Sequence, residues 1–149
     1  MRAIKEIVVH CSATREGDFH DAAHIDRMHK ARGWKGIGYN YVVLLNGDIE
    51  NGRDISKIPV GVYGHNKDTV HVVYIGGLDK DGKPKDTRTK EQKHSLIVLL
   101  ESLKLVFNKA TILGHRDFSP DTNKNGKIDK WEWIKACPCF DAITEYKNI

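Results

Sequence analysis

The sequence predicts an α/β fold: a single domain with a mixed central β-sheet flanked by helices. Three observations predict it. Short β-branched runs (Ile7-Val8-Val9, Val42-Val43-Leu44-Leu45 and Val70 to Ile75) alternate with stretches of helical periodicity. Asn46-Gly47 lies between two strand-like runs and signals a tight antiparallel hairpin, whereas the other runs are linked through helices. The 149 residues, 40% of them hydrophobic, suffice for one domain with a full core.

Ala3 to Cys11 reads as the first strand, apolar at Ile4, Ile7, Val8 and Val9. Successive strand side chains point to opposite faces, so His10 and Cys11 cannot easily share one metal. Asp21 to Arg32 has helical spacing at Ile25, Met28 and His29, with Gly33 as its stop. His20, His24 and His29 surround this helix, and a solvated or groove-facing surface is expected for them rather than a metal set. Trp34 suits a core or a ligand platform equally. Tyr39 stands at the entry to the first hairpin strand. Val60 to Asn66, with Gly61 and Gly64, reads as a loop at the rim of a cleft. Val70 to Ile75 reads as a central strand closed by Gly76-Gly77, and Leu78 to Arg88 as a polar loop. Thr89 and Gln92 form a capping box for a helix reaching about Asn108, its apolar face Leu96, Leu99, Leu100, Leu103 and Phe107. Ala110 to Leu113 is a short strand, and Asp141 to Lys147 a short terminal helix.

Composition narrows the function. The net charge is +4, but the basic residues are scattered, and without a Lys/Arg run no nucleic-acid partner is expected. Three cysteines, two of them only two positions apart, argue against a disulfide framework and for metal or free-thiol roles. The N-terminus lacks a long apolar region, and no segment approaches the length of a membrane span. The expectation is synthesis in the cytoplasm without a signal peptide, as a monomer.

The densest chemistry lies between Leu113 and Asp141: His115, an acid- and amide-rich loop, Lys135, Cys137 and Cys139. Imidazole and thiolate suit zinc, and a catalytic zinc keeps one corner of its tetrahedron open, so three protein ligands are expected. One more ligand comes from elsewhere, and His10, ending the first apolar run, is the best candidate. In an extended segment Cys139 shares the face of Cys137, which leaves it a rival ligand.

The loop carries a signal of its own. Asp121, Asn123, Asn125, Asp129 and Glu132 occupy the oxygen-ligand positions of a twelve-residue EF-hand loop, with Lys127 offering its carbonyl and Gly126 the turn. Calcium bound there would be structural. Ser119-Pro120 excludes the usual entering helix, and Lys124, Lys127 and Lys130 dilute the negative charge. The alternative is a polar turn held by Asx hydrogen bonds.

Five segments in order, VVHCSAT (8–14), GWKGIGYNYVV (33–43), YIGGLD (74–79), GHRD (114–117) and KACPCFD (135–141), resemble those of zinc-dependent N-acetylmuramoyl-L-alanine amidases of the phage T7 lysozyme type. That family shares its fold with peptidoglycan recognition proteins. The resemblance covers nearly the whole chain, and so implies one amidase domain over 1–149 with a calcium-loop-like insertion at about 117–134. It implies hydrolysis of the amide joining the lactyl group of N-acetylmuramic acid to L-alanine, with peptidoglycan or muropeptide as substrate. By position it implies His10, His115 and Cys137 as zinc ligands, and Tyr39 and Lys135 as catalytic residues. An ammonium suits a tetrahedral oxyanion, and a phenol suits the orientation of a water. Action on the cell wall would follow release or delivery by other factors, as a phage lysis enzyme, a delivered toxin or a recycling enzyme.

Four features depart from the family. Cys139 stands where serine is frequent, and His71 where glycine is common. The stretch from Gly61 to Val73, which offers His65 as a candidate substrate contact, is shortened. The insertion between His115 and Cys137 is long. A non-catalytic peptidoglycan-binding module is the alternative function, and such relatives tend to lack the cysteine ligand. A calcium-responsive scaffold is a third.

Overall fold

The computed structural model describes residues 1–149. In chain order the elements are β1 (Glu6–Cys11), β2 (Thr14–Arg15), α1 (Ala22–Ala31), β3 (Tyr41–Val43), β4 (Ile49–Asn51), β5 (Thr69–Tyr74), β6 (Gly77–Leu78), α2 (Lys90–Val106), β7 (Thr111–Gly114) and α3 (Ala142–Glu145). The main sheet has the order β4-β3-β5-β1-β7. β1 lies parallel between β5 and β7, β3 is parallel to β5, and only the β3–β4 hairpin is antiparallel. This is the mixed sheet that the alternation of runs predicts.

Local chemistry explains most boundaries. Pairing of β1 begins at Glu6 rather than Ala3, because the Lys5 and Glu6 amides both turn to the Asp68 carbonyl. Leu44 and Leu45, expected in a strand, belong instead to the hairpin turn: Leu44 N–H donates to Asp48 O at 2.8 Å, and Gly47 takes φ +91. Asp21 caps α1 by accepting from His24 N–H at 2.8 Å. Thr89 and Gln92 exchange the reciprocal bonds of the capping box at 3.1 and 2.9 Å, worth about 1 kcal/mol. Gln92 does more than cap. Fully buried, it donates to the Ile75 carbonyl at 2.9 Å and so ties α2 to the sheet. The two-residue strands β2 and β6 pair with each other in a small separate sheet, and two residues are too few to show a period.

The sheet divides the interior. On one face Leu96, Leu99, Leu100 and Leu103 of α2 pack on Ile7, Val9, Val43, Val70, Val72 and Tyr74. Each fully buried leucine contributes roughly 2 kcal/mol. Ala142 of α3 and Tyr146 just beyond it join this core, and Arg88 fastens them. Its guanidinium is buried over the Phe140 ring, 3.3 Å from the centroid, and pairs with Asp86 and Glu145. On the other face Ile25 of α1 packs with Val42, Leu44, Val73 and Ile75. Because strand side chains alternate, Val8, His10 and His71 point to this second face.

His29 corrects an expectation. It is not solvated: only 4% exposed, it accepts from Gly38 N–H at 2.9 Å through Nδ1. The bond fixes the chain just before Tyr39 against α1. Gly38 itself has no room for a side chain, since a Cβ there would lie 2.1 Å from the Val60 carbonyl oxygen. No helix is long and apolar enough to cross a membrane.

Candidate metal centre and its cleft

Parallel strands tend to bind ligands at their carboxyl ends. Two candidate residues sit there: His10 near the end of β1, and His115 directly after β7. Cys137 arrives from the far side of the insertion. The donor atoms of His10, His115 and Cys137 all lie within 4.8 Å of one another, and no other three His, Cys, Asp or Glu side chains converge in this way. His10 Nδ1 lies 3.8 Å from Cys137 Sγ. A tetrahedral zinc with bonds of about 2.0 Å to nitrogen and about 2.3 Å to sulfur sets two such donors about 3.6 Å apart. The donor set therefore fits.

Hydrogen bonds place each donor. Arg116 N–H donates to the Cys137 carbonyl at 2.8 Å, joining the single 3₁₀ turn of His115–Phe118 to the cysteine segment. Gly114 admits this closeness, since a Cβ there would meet Pro138 Cδ at 2.7 Å. Tyr74 Oη donates to the Pro138 carbonyl at 2.6 Å from beneath. Cys11 points into the core, as alternation with His10 requires, but its backbone N–H donates to Cys137 Sγ at 3.2 Å. That bond fixes the position of the sulfur at the end of β1.

The segment carrying the cysteines is not extended. Cys139 N–H bonds to the Ala136 carbonyl at 2.8 Å, and Cys139 takes φ +72. The reversal removes the face that Cys137 and Cys139 would share in a strand. Cys139 Sγ turns instead to the Gly77 carbonyl at 3.3 Å and lies 3.9 Å from Cys11 Sγ. It stands outside the convergent set, which corrects the expectation of a rival ligand.

Electrostatics suit metal binding. Burial first, then the neighbouring His71, His115 and Lys135, holds His10 well below the usual imidazole range. Burial and Lys135 hold His115 down at about 4. Both rings are therefore neutral near pH 7 and free of a competing proton. Tyr39 lies with its ring 4.9 Å from that of His10, and burial, followed by the two nearby cysteines, raises its phenol so that it stays protonated.

An open cleft of about 390 Å³ leads to His115, and Lys135 lines it beside that ligand. Tyr63, His65 and Phe118 form its rim, with the His65 and Phe118 rings 5.1 Å apart. His65 lines this cleft, and Lys135 reaches it from a loop rather than a strand.

The insertion folds on itself. Ser119 Oγ accepts from Ile134 N–H at 3.1 Å, closing the neck. Inside, Asp121 accepts from the Asn125 and Gly126 amides, while Asp129 accepts from the side chains of Asn123 and Asn125. Asn125 accepts from Lys127 N–H at 2.9 Å, and Glu132, 7% exposed, accepts from the Thr122, Asn123 and Asp129 amides. The six residues of the calcium pattern thus lie in one loop, engaged by its own backbone and amides. Their carboxylates are not among the convergent donors.

The role of one residue escaped the sequence reading. His71, fully buried on β5, sits 2.9 Å from His10 Nε2 through its Nδ1. Its signals were a histidine inside a β-branched run and the departure from a common glycine.

Fold and site together define a mixed α/β sheet with three candidate metal donors converging at the carboxyl ends of its parallel strands. Residues 1–131 match the N-acetylmuramoyl-L-alanine amidase family, and the chain belongs to that family. It is similar to the endolysin of Klebsiella phage KP32, 34% identical over 136 residues, 91% of this chain and 81% of that protein. The endolysin of Escherichia phage T7 is 32% identical over 135 residues, 91% of this chain and 80% of that one. Among solved structures, N-acetylmuramoyl-L-alanine amidase LysC from Clostridium intestinale superposes with TM-score 0.72 at 23% identity, covering 97% of this chain and 82% of that chain. Drosophila PGRP-LB has TM-score 0.71 at 18% identity, covering 99% and 82%. These structural likenesses show the shared fold.

Proposed function

We propose that this chain is a zinc-dependent amidase that cleaves the bond between N-acetylmuramic acid and L-alanine in peptidoglycan, with His10, His115 and Cys137 as the metal ligands. The convergence of two neutral imidazoles and one sulfur within 4.8 Å carries this reading. His10, His115 and Cys137 would hold zinc there, and it would supply Lewis acidity to an amide carbonyl and to a water near neutral pH. The chain's own groups do the rest. Lys135, beside His115 in the cleft, offers an ammonium to the oxyanion that develops as the carbonyl is attacked. Tyr39, protonated and next to His10, orients the attacking water and helps pass its proton. The rim residues Tyr63, His65 and Phe118 offer ring faces to a sugar or stem peptide.

The endolysin names of the phage relatives support action on the cell wall, and we place this chain there, as a monomer. Calcium at Asp121–Glu132 has the twelve-residue pattern behind it, and one calcium per chain in metal analysis would establish it. The second function, a peptidoglycan-binding module that does not cut, is favoured less because Cys137, Tyr39 and Lys135 are all present.

Muropeptides incubated with the zinc-loaded protein decide between the two. Free stem peptide by mass spectrometry, abolished by a chelator, supports the amidase. Intact muropeptide retained on the protein supports the binder.

A further inference from the structure

His71 takes no part in the chemistry above, yet it is buried against a metal ligand. Both His10 and His71 are fully enclosed, and their rings stack with centroids 4.8 Å apart. The direction of each bond in their network follows from its far end. The Asn66 carbonyl can only accept, so the Thr69 hydroxyl must spend its hydrogen there, at 2.8 Å. Thr69 Oγ1 is then left to accept from His71 Nε2, also at 2.8 Å. A neutral imidazole that donates at Nε2 accepts at Nδ1, and the group facing His71 Nδ1 is His10 Nε2 at 2.9 Å. His10 must therefore carry its hydrogen on Nε2, which leaves the Nδ1 lone pair directed to the side of Cys137.

We infer that His71 is a positioning residue for the metal centre, holding His10 in the tautomer and ring orientation that present Nδ1 to the ion. This rests on the zinc reading above. The surroundings are built for the pair. A Cβ on Gly61 would lie 2.0 Å from His71 Nδ1 and 3.1 Å from His10 Nε2, so only glycine leaves room for both rings. Asn66 holds that glycine loop by accepting from Gly61 and Val62 N–H at 3.1 and 2.9 Å, while its carbonyl ends the chain of donors. Asn40 brackets the His71 backbone, accepting its N–H and donating to its carbonyl, both at 2.9 Å. Partners that orient a metal-bound histidine typically change metal affinity 10–100-fold when removed, roughly the effect expected here.

The test measures zinc affinity by competition with a chromophoric chelator for the wild type, His71→Gln, His71→Leu and His10→Ala. The inference predicts that His71→Leu binds zinc roughly 10–100-fold more weakly than the wild type, while His71→Gln, whose amide oxygen can accept the same hydrogen, falls closer to it. Long-range ¹H–¹⁵N NMR on the metal-free wild type should show His10 protonated at Nε2. A wild type that binds zinc no better than His10→Ala overturns the zinc reading itself. A wild type that binds tightly with His71→Leu binding equally well overturns only the role of His71. Should His71→Leu not fold, protonation of His10 at Nδ1 in the wild type overturns it instead.

Discussion

Arg116 donates its backbone N–H to the Cys137 carbonyl at 2.8 Å, so the two ends of the long insertion meet through one hydrogen bond beside the proposed ligands His115 and Cys137. The Ser119–Ile134 bond closes the neck just beyond it. With its neck closed this way, we propose that the loop between does not shape the candidate donors. Replacing residues 120–133 by a short glycine–asparagine turn should leave one zinc per chain, measured by atomic emission. Loss of zinc would show that the loop shapes the ligands.

Lys135 lines the cleft beside His115, where we propose that its ammonium meets the developing oxyanion. Lys135→Met should lower the rate of stem-peptide release by roughly 10²–10³, the usual effect of losing an oxyanion donor. Zinc content should not change. A loss below tenfold would remove Lys135 from the chemistry.

His29 is held at about 4, first by burial and then by Arg32 and Arg53, against an ordinary value of about 6.5. The folded state therefore prefers the neutral ring, which accepts from Gly38 N–H. This contribution is complete above about pH 6.5 and is lost as pH falls towards about 4. The melting temperature of the wild type should drop more between pH 7 and pH 5 than that of His29→Gln. Parallel curves would contradict it.

Register on α2 can be read from two leucines. Leu100 is fully buried, whereas Leu105 is 86% exposed. Leu100→Ala should cost roughly 2–5 kcal/mol in urea unfolding, and Leu105→Ala about 0.5 kcal/mol or less. Equal costs would mean the helix faces the sheet differently.

What was legible in the sequence was local or typed. The α2 helix and the hairpin announced themselves because a capping box and an Asn-Gly turn act within a few residues. His10, His115 and Cys137 were legible because imidazole and thiol at family positions specify a metal donor set. The place of Cys139 was not, since the turn at Ala136–Cys139 breaks the alternation that an extended segment would have. The roles of His71 and His29 were missed for a different reason. Their partners, His10 and Gly38, come from other elements, and only the packed sheet and helix bring them within 2.9 Å.

The proposed zinc centre is tested most directly by X-ray absorption at the zinc edge of the loaded protein. The account predicts one sulfur at about 2.3 Å and two imidazole nitrogens at about 2.0 Å, the fourth neighbour being a light atom. Two sulfurs, which would bring in Cys139 or Cys11, or a shell with no sulfur at all, would contradict it.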